Sequence, residues 1–342
     1  MKNKKYNRKI DIIIPAYNVP DNTIFRCLSS IACQNIIEEI EITIIDDAST
    51  KENYKKIADI FKDYININII RNEINQGPGV ARQIGIDNTK NGYITFMDAD
   101  DTLNGTFAID YLREGIEQDS AYQICVGIFD EIHNENEEKI LTSHENDSVW
   151  VFGKMFKRAF IDRYNIRFHP TSRANEDNGF NKLCLLCLSE FERINYISNH
   201  VYYWHENLES ITRKNDCHYT YGSSKKDSFY GFVENMIYAI KEGKKRKPGN
   251  ELIRTYSITF MFLLYQYYID CVANASEYAK DNFEYCKKYY KEIFYEYEKF
   301  ICERDIVFCY SKMMKEAYAT DKMDNIVPTI SIFEFLNKLK ED

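Results

Sequence analysis

The sequence predicts an α/β fold with a mostly parallel central sheet, and three observations carry that prediction. Short runs rich in Ile recur at 10–14, 40–45 and 65–70, with a further apolar run at 93–97. Between them, apolar residues recur at helical spacing, as in Ile24, Leu28 and Ile31. Two of the runs end abruptly in carboxylates, Asp46-Asp47 after the second and Asp98-Ala99-Asp100-Asp101 after the fourth. Packing rarely calls for acids at such places, and ligands of open α/β sheets lie just past the strand carboxyl ends.

Composition narrows the class. The chain has 342 residues, 44% hydrophobic and 28% charged, which suits a soluble globular protein of one large domain plus a smaller one. A formal net charge of -9 argues against a nucleic-acid partner. The run Lys244-Lys245-Arg246-Lys247 reads as a solvated helix end, with weak contact to anionic lipid as the other reading. The ten cysteines lack metal-finger spacing, and Cys184 and Cys187 sit at helical spacing in an apolar run, so they read as core. Lys2, Lys4 and Lys5 precede only a short apolar run broken by Pro15, which is not a secretory leader. The thiols therefore read as reduced and the compartment as cytoplasmic. The longest apolar run, 258–269, is too short to span a bilayer and reads as a buried helix.

The elements follow in order. Residues 10–14 form a first strand closed by Pro15, with the loop Pro15-Ala16-Tyr17-Asn18 at its carboxyl end. An aromatic there can stack on a base or pack on the sheet edge. Asp21 or Asn22 can cap the next helix. The second strand opens onto Asp46-Asp47-Ala48-Ser49, where a carboxylate can accept from a nucleobase N–H or a ribose hydroxyl. Residues 51–62 read as a helix and 65–70 as a third strand. Asn75-Gln76-Gly77-Pro78-Gly79 then precedes a helix carrying Arg82. Glycines there permit close backbone approach, and the helix start favours an anion; a guanidinium can pair with phosphate or reach a base. The fourth strand ends in the acidic triplet. Three acids that close repel one another, and carboxylate oxygens suit a hard divalent ion such as Mg²⁺ or Mn²⁺. Tyr17, Asp47, Arg82, Asp98 and Asp100 thus share one sheet edge, which suits a nucleotide–metal site.

Taken together, these motifs resemble family 2 glycosyltransferases of the GT-A fold, the inverting kind that uses a nucleotide-sugar donor. The likeness continues through Gly153-Lys154-Met155-Phe156-Lys157-Arg158, Ile166-Arg167-Phe168, Asn175-Glu176-Asp177-Asn178, Tyr202-Tyr203-Trp204-His205 and Ser210-Ile211-Thr212, and so spans roughly residues 9 to 213. Gln83 and Asn178 depart from the common pattern, where Asn and an aromatic are usual. The resemblance implies an α/β/α sandwich and a set of roles. Tyr17 would stack on the base, Asp47 would bond it, Arg82 would sit by base and diphosphate, and Asp98 would hold the ribose. Pro15, Asn18, Asn75, Gly77 and Ala99 would line the donor site. Asp100 would bind Mn²⁺ or Mg²⁺, with His205 as a further ligand or a locally bonded loop histidine. Asp177 would be the general base, with Glu176 orienting it or touching the acceptor; Lys154 would support the donor or acceptor pocket, with ordinary packing as the other reading.

The chemistry asks for the same residue types. A departing nucleoside diphosphate gathers negative charge that a divalent ion offsets. Inversion needs a base aimed at the incoming hydroxyl from the opposite face of the sugar. By pattern alone, Glu176-Asp177 at a helix start also reads as a cap.

Residues 1–215 are expected to form the catalytic domain and 216–342 a helical extension. Tyr and Phe are dense in 256–268 and 283–300. Such stripes can be core, can cover the catalytic domain, form a homodimer surface or rest on a membrane at its inner face. Pro248-Gly249 marks a break between helices, and 131–145 reads as a hairpin tip in solvent. The expected activity is transfer of a hexose or N-acetylhexosamine from a UDP-sugar to a glycan or lipid-linked acceptor, in a bacterial surface polysaccharide or glycoconjugate pathway. The rival readings are a nucleotidyltransferase, which would want a Gly-rich signature after the first strand, and a non-catalytic sugar-nucleotide or glycan-binding module, which would tolerate loss of Asp177.

Overall fold

The structure, a computed structural model, describes residues 7–51, 54–135, 138–206, 226–248, 251–257, 287 and 332–341. The chain divides into two compact units, Met1–Leu208 and Glu209–Asp342. The first unit is built on a nine-stranded sheet. Its strands are β1 (Ile10–Ala16), β2 (Ile40–Asp46), β3 (Asn66–Arg71), β4 (Tyr93–Phe96), β5 (Thr102–Leu103), β6 (Tyr122–Glu135), β7 (Glu138–His144), β8 (Lys154–Lys157) and β9 (Arg193–His205). The order is β3-β2-β1-β4-β8-β6-β9-β5, with β7 paired to β6. β3, β2, β1 and β4 run parallel, as does the β6–β9 pair; β8 and β5 run against their neighbours. The helices are α1 (Asp21–Ala32), α2 (Tyr54–Phe61), α3 (Pro78–Asn88), α4 (Ala108–Glu117), α5 (Arg158–Arg163) and α6 (Glu176–Cys187).

Strand alternation explains the layering. On one face Ile10, Ile12 and Ile14 join Ile24, Leu28 and Ile31 of α1, Ile57 and Phe61 of α2 and Leu112 of α4 in a single core. On the other face Ile13 lies against α3 so closely that a Cβ at Gly85 would come 2.3 Å from its Cγ2. Beside it Phe96, Phe156, Phe168 and Phe180 interlock, with Phe168 and Phe180 stacked at 4.1 Å. That cluster fixes α6 against β4. Cys184 and Cys187 are fully buried on α6, as expected of core residues.

Two expectations shift in detail. Helix α1 is not capped by Asp21 or Asn22: Pro20 holds the cap position, and its carbonyl accepts from the Thr23 and Ile24 N–H groups at 3.0 and 3.1 Å. Proline's fixed φ presets that start without a side-chain cap. Asp177 is not a cap either. Asn175 occupies that position in the left-handed region (φ 57), and Glu176 and Asp177 lie in the first turn. As expected of a hairpin, residues 131–135 pair with 138–142 in the β6–β7 ladder, which runs from Phe129↔His144 to Glu135↔Glu138; the tip between them lies outside the described residues.

The second unit contains α7 (Lys226–Arg246), a helical stretch at 251–257 and the helix Ile332–Lys340. Lys244, Lys245 and Arg246 form the last turn of α7, as a helix end. The apolar run 258–269 and the aromatic stripe 283–300 lie outside the described residues, apart from Lys287. Among the described residues no helix is long and apolar enough to cross a membrane.

Candidate active site

The strand ends meet at one rim. At the end of β2 Asp46 faces back into the fold, accepting the Ser49 N–H at 2.9 Å and pairing with Arg71. Ala48 takes a left-handed conformation (φ 62), which turns the chain so that its neighbour Asp47 points across the rim. Asp47 is 3% exposed. It accepts from Asn72 Nδ2 at 2.7 Å, from the Gln76 N–H at 3.0 Å and from the Gly77 N–H at 2.7 Å. The loop before α3 is therefore wrapped onto this one side chain. Gly77 has φ 91, open only to a residue without Cβ. The Asn75 carbonyl accepts from Arg173 at 2.6 Å.

At the end of β1, Tyr17 is half exposed. Its neighbour Asn18 (φ 52) accepts at Oδ1 from the Thr50 N–H and hydroxyl at 2.8 and 2.9 Å. These bonds tie the β1 loop to the β2 loop. Pro15 is half-buried and Ala16 buried beneath them.

Arg82, in the second turn of α3, is the centre of the site. It is 3% exposed and holds three carboxylates. Nη1 donates to Glu176 Oε1 at 2.8 Å and Asp177 Oδ1 at 2.7 Å; Nη2 donates to Asp98 Oδ1 at 2.6 Å. Burial alone would lower its pKa, but Asp177, Asp98 and Glu176 more than offset this and raise it. Nε is buried without a partner among the described residues. Helices α3 and α6 come this close because residue 79 is glycine: a Cβ there would stand 2.9 Å from Glu176 Cβ and Cγ. Burial pushes the Asp177 carboxyl well above the usual range, Arg82 opposes that, and Glu176 and Asp98 add to it.

The acidic turn after β4 is sorted by burial. Asp98 is partly open, and Asp100 half-buried. Ala99 is buried between them, and Asp101 is fully buried. Asp101 Oδ2 accepts from the Tyr202 hydroxyl at 2.7 Å, and Oδ1 from the His205 N–H at 2.8 Å. The Tyr202 oxygen in turn accepts the Asp98 N–H at 3.1 Å. Burial, then the charges of Asp100 and Asp98, raise the Asp101 pKa well above the usual carboxylate range. Arg26 on α1 donates to the Asp100 carbonyl at 2.6 Å. The His205 ring shares a hydrogen bond with Thr102 Oγ1 at 2.8 Å. Among the described residues no three His, Cys, Asp or Glu side chains form a ready metal cage.

Residues 11–174 match the family model described as Glycosyl transferase family 2. The chain carries a family 2 glycosyltransferase domain. It is 29% identical over 245 residues to the poly(ribitol-phosphate) beta-glucosyltransferase of Bacillus spizizenii, covering 68% of this chain and 37% of that protein. It is 27% identical over 222 residues to the glycosyltransferase EpsJ of Bacillus subtilis, covering 59% of this chain and 62% of that protein. The chain thus spans between about a third and two thirds of the length of these curated relatives. A solved structure of S. aureus TarS 1-349 in complex with UDP-GlcNAc aligns with a TM-score of 0.58 at 16% identity, covering 83% of this chain and 92% of that one. At that identity the likeness shows the fold, a GT-A type α/β sandwich.

The structure brings Arg82 into direct contact with Asp98 and, just past the matched residues, with Glu176 and Asp177, and sets Asp47 on the Asn75–Gly77 loop. Lys154 is placed differently from an acceptor-facing residue. It is 3% exposed, and Nζ donates inward to Asp147 Oδ2 and the Trp150 carbonyl, both at 2.5 Å. Sequence reasoning gave no role to Asp101, Tyr202, Asn72 or Arg26. Asp101 carried a signal as the third acid of the triplet, and Tyr202 carried one through strand alternation in β9; Asn72 and Arg26 carried none.

Proposed function

We propose that the chain transfers a hexose or N-acetylhexosamine from a UDP-sugar to a hydroxyl of a glycan or lipid-linked acceptor, with inversion, in the synthesis of a bacterial surface polymer. The observation that carries this reading is the Arg82 contact: one buried guanidinium gathers Asp98, Glu176 and Asp177 at the carboxyl edge of the sheet. A module that only bound sugar or nucleotide would not need a desolvated carboxyl of raised pKa beside the acidic turn, whereas proton abstraction does. The absence of a Gly-rich signature after β1 disfavours a nucleotidyltransferase.

In this reading the half-exposed Tyr17 stacks on the base and Asp47 meets its edge. Pro15, Asn18, Asn75, Gly77 and Ala99 line the donor. Asp98 turns from Arg82 to the ribose hydroxyls, and Arg82 faces the diphosphate. Asp177 takes the acceptor proton, oriented by Glu176. Asp100 and His205 would hold Mn²⁺ or Mg²⁺. The half-buried Asp100 carboxylate is a hard oxygen donor that suits either ion, and the His205 imidazole is the weaker match. With no ready cage of three side chains, the substrate diphosphate would complete the coordination, as such ions commonly require. When bound, the ion would offset charge on the leaving diphosphate. The names of the relatives make UDP-glucose and UDP-N-acetylglucosamine the first donors to try. A lipid-linked acceptor would place the work at the cytoplasmic face of the membrane, with the C-terminal helices as the contact or as a dimer surface.

The test is thermal stabilisation by nucleotides with and without Mn²⁺, since a ligand of the folded state raises its stability by mass action. A Mn²⁺-dependent shift with UDP that disappears in Asp100→Asn supports the reading. A shift with CTP and none with UDP would favour the nucleotidyltransferase; no shift with any nucleotide would favour a binding module.

A further inference from the structure

We propose that Asp101, with Tyr202, is a positioning residue for the divalent ion of the donor site: it locks the turn that carries Asp100 to the strand end that carries His205. The proposal rests on the reading of Asp100 and His205 as ligands of that ion.

The two ligands come from different elements, Asp100 from the turn after β4 and His205 from the last position of β9. Both backbones must be held if the two side chains are to reach one ion. The turn first closes on itself, the Asp101 N–H donating to the Asp98 carbonyl at 3.2 Å. The Asp101 carboxylate then crosses to β9 and engages it with both oxygens. Oδ2 accepts from the Tyr202 hydroxyl at 2.7 Å, and Oδ1 accepts from the His205 N–H at 2.8 Å. The Tyr202 oxygen accepts the Asp98 N–H at 3.1 Å. Asp98, Tyr202 and Asp101 thus form a closed ring of hydrogen bonds, and Asp100 lies on the short arc of chain between its two acidic members. The His205 backbone hangs directly on that ring. Its imidazole is held by the very next residue of the turn: Thr102 Oγ1 meets Nε2 at 2.8 Å. Thr102 also pairs with Tyr203 in the β5–β9 ladder, which keeps the two segments in register.

Two features favour positioning over packing. Asp101 is fully buried, and burying a carboxylate is unfavourable unless its partners are specific and well placed. An apolar side chain would seal the junction of β5 and β9 more readily, but it could not hold two donors at fixed places. The Tyr202 ring, in turn, does not need its hydroxyl in order to pack. It stacks on Phe152 with centroids 4.6 Å apart and planes within 7°. The hydroxyl serves the ring of hydrogen bonds. Groups that orient metal ligands from behind commonly change metal affinity by about 10- to 100-fold.

The experiment measures Mn²⁺ affinity of the full chain at saturating UDP, from the electron paramagnetic resonance signal of unbound Mn²⁺. The variants are Tyr202→Phe, which keeps the stack, Asp101→Asn, and Thr102→Val, which removes only the contact to the imidazole. Urea denaturation identifies the variants that fold, and Thr102→Val, at a half-buried position, decides the matter should the other two fail to fold. The Mn²⁺ dissociation constant should rise about 10- to 100-fold in Tyr202→Phe and Asp101→Asn, and by a smaller factor in Thr102→Val. In UDP release from UDP-N-acetylglucosamine, the Mn²⁺ concentration for half-maximal kcat should rise in parallel. The kcat itself should recover towards the wild-type value at saturating Mn²⁺, a rescue that a merely loosened core would not show. Folded variants that bind Mn²⁺ as tightly as the wild type would overturn the positioning role alone. A wild-type chain that takes up no Mn²⁺ with UDP would overturn the metal reading, and this proposal with it.

Discussion

Arg82 on α3 donates to Asp177 on α6 at 2.7 Å, across a sequence separation of 95 residues. The same nitrogen reaches Glu176, and its neighbour reaches Asp98. One cation thus sets the spacing of three anions that burial would otherwise drive apart or protonate.

Replacing Arg82 with Met should be among the most damaging single changes in the first unit. Removing one member of a buried ionic cluster leaves uncompensated charge, worth about 3–5 kcal/mol. Arg82→Lys should recover only part, because a single ammonium lacks the planar fork that serves three carboxylates at once. Urea denaturation at neutral pH measures both.

Stability and turnover should respond to pH in opposite senses. The Asp177 pKa is raised by burial, with Arg82 opposing. A group raised in the folded state contributes stability that is fully present below the unfolded carboxylate value of about 3.9 and is lost as pH rises through the folded value. A base must be ionised, so turnover should rise over that same interval. The slope of Tm against pH should be shallower in Asp177→Asn, and transfer should be lost at every pH. An unchanged slope would remove Asp177 as the source.

Asp47→Asn should loosen the loop that precedes α3. The amide turns a donor towards N–H groups that need an acceptor, at an expected loss of about 1–3 kcal/mol. Stabilisation by UDP should shrink with it. A thermal shift titration reads the second effect, and denaturation the first.

Gly79→Ala should part α3 from α6. The added Cβ would meet Glu176 at 2.9 Å, and overpacking of this kind costs about 1–3 kcal/mol. Because the strain falls on Glu176 and its neighbour Asp177, kcat should fall more than the affinity for UDP.

Much of the fold was legible because a parallel sheet writes its strands as apolar runs and ends them in turn chemistry. The four runs became β1 to β4, and the carboxylates at two of their ends reached one rim. The pairing of β8, β6, β9 and β5 was not legible, since which distant strands meet is decided by packing and not by local pattern. The same limit applied to the site. Tyr17 and Asp98 could be placed at strand ends, but the convergence of Arg82 with Glu176 depends on a glycine, Gly79, whose meaning appears only once α6 lies across it. Lys154 read either as pocket support or as packing, and its bonds to Asp147 and the Trp150 carbonyl, after the turn at Gly153, appear only in the folded chain.

The Asp101–Tyr202 bond has a consequence for the order in which the chain is made. Its two ends are 101 residues apart. At roughly 5–20 residues per second, Asp101 leaves the ribosome between about 5 and 20 seconds before its partner. During that interval its carboxyl has only water to satisfy it, and the turn that carries Asp98 and Asp100 lacks its floor. The Asp101 bonds to the Tyr202 hydroxyl and the His205 N–H can form only once β9 is added, so the acidic turn completes its hydrogen bonding late in synthesis.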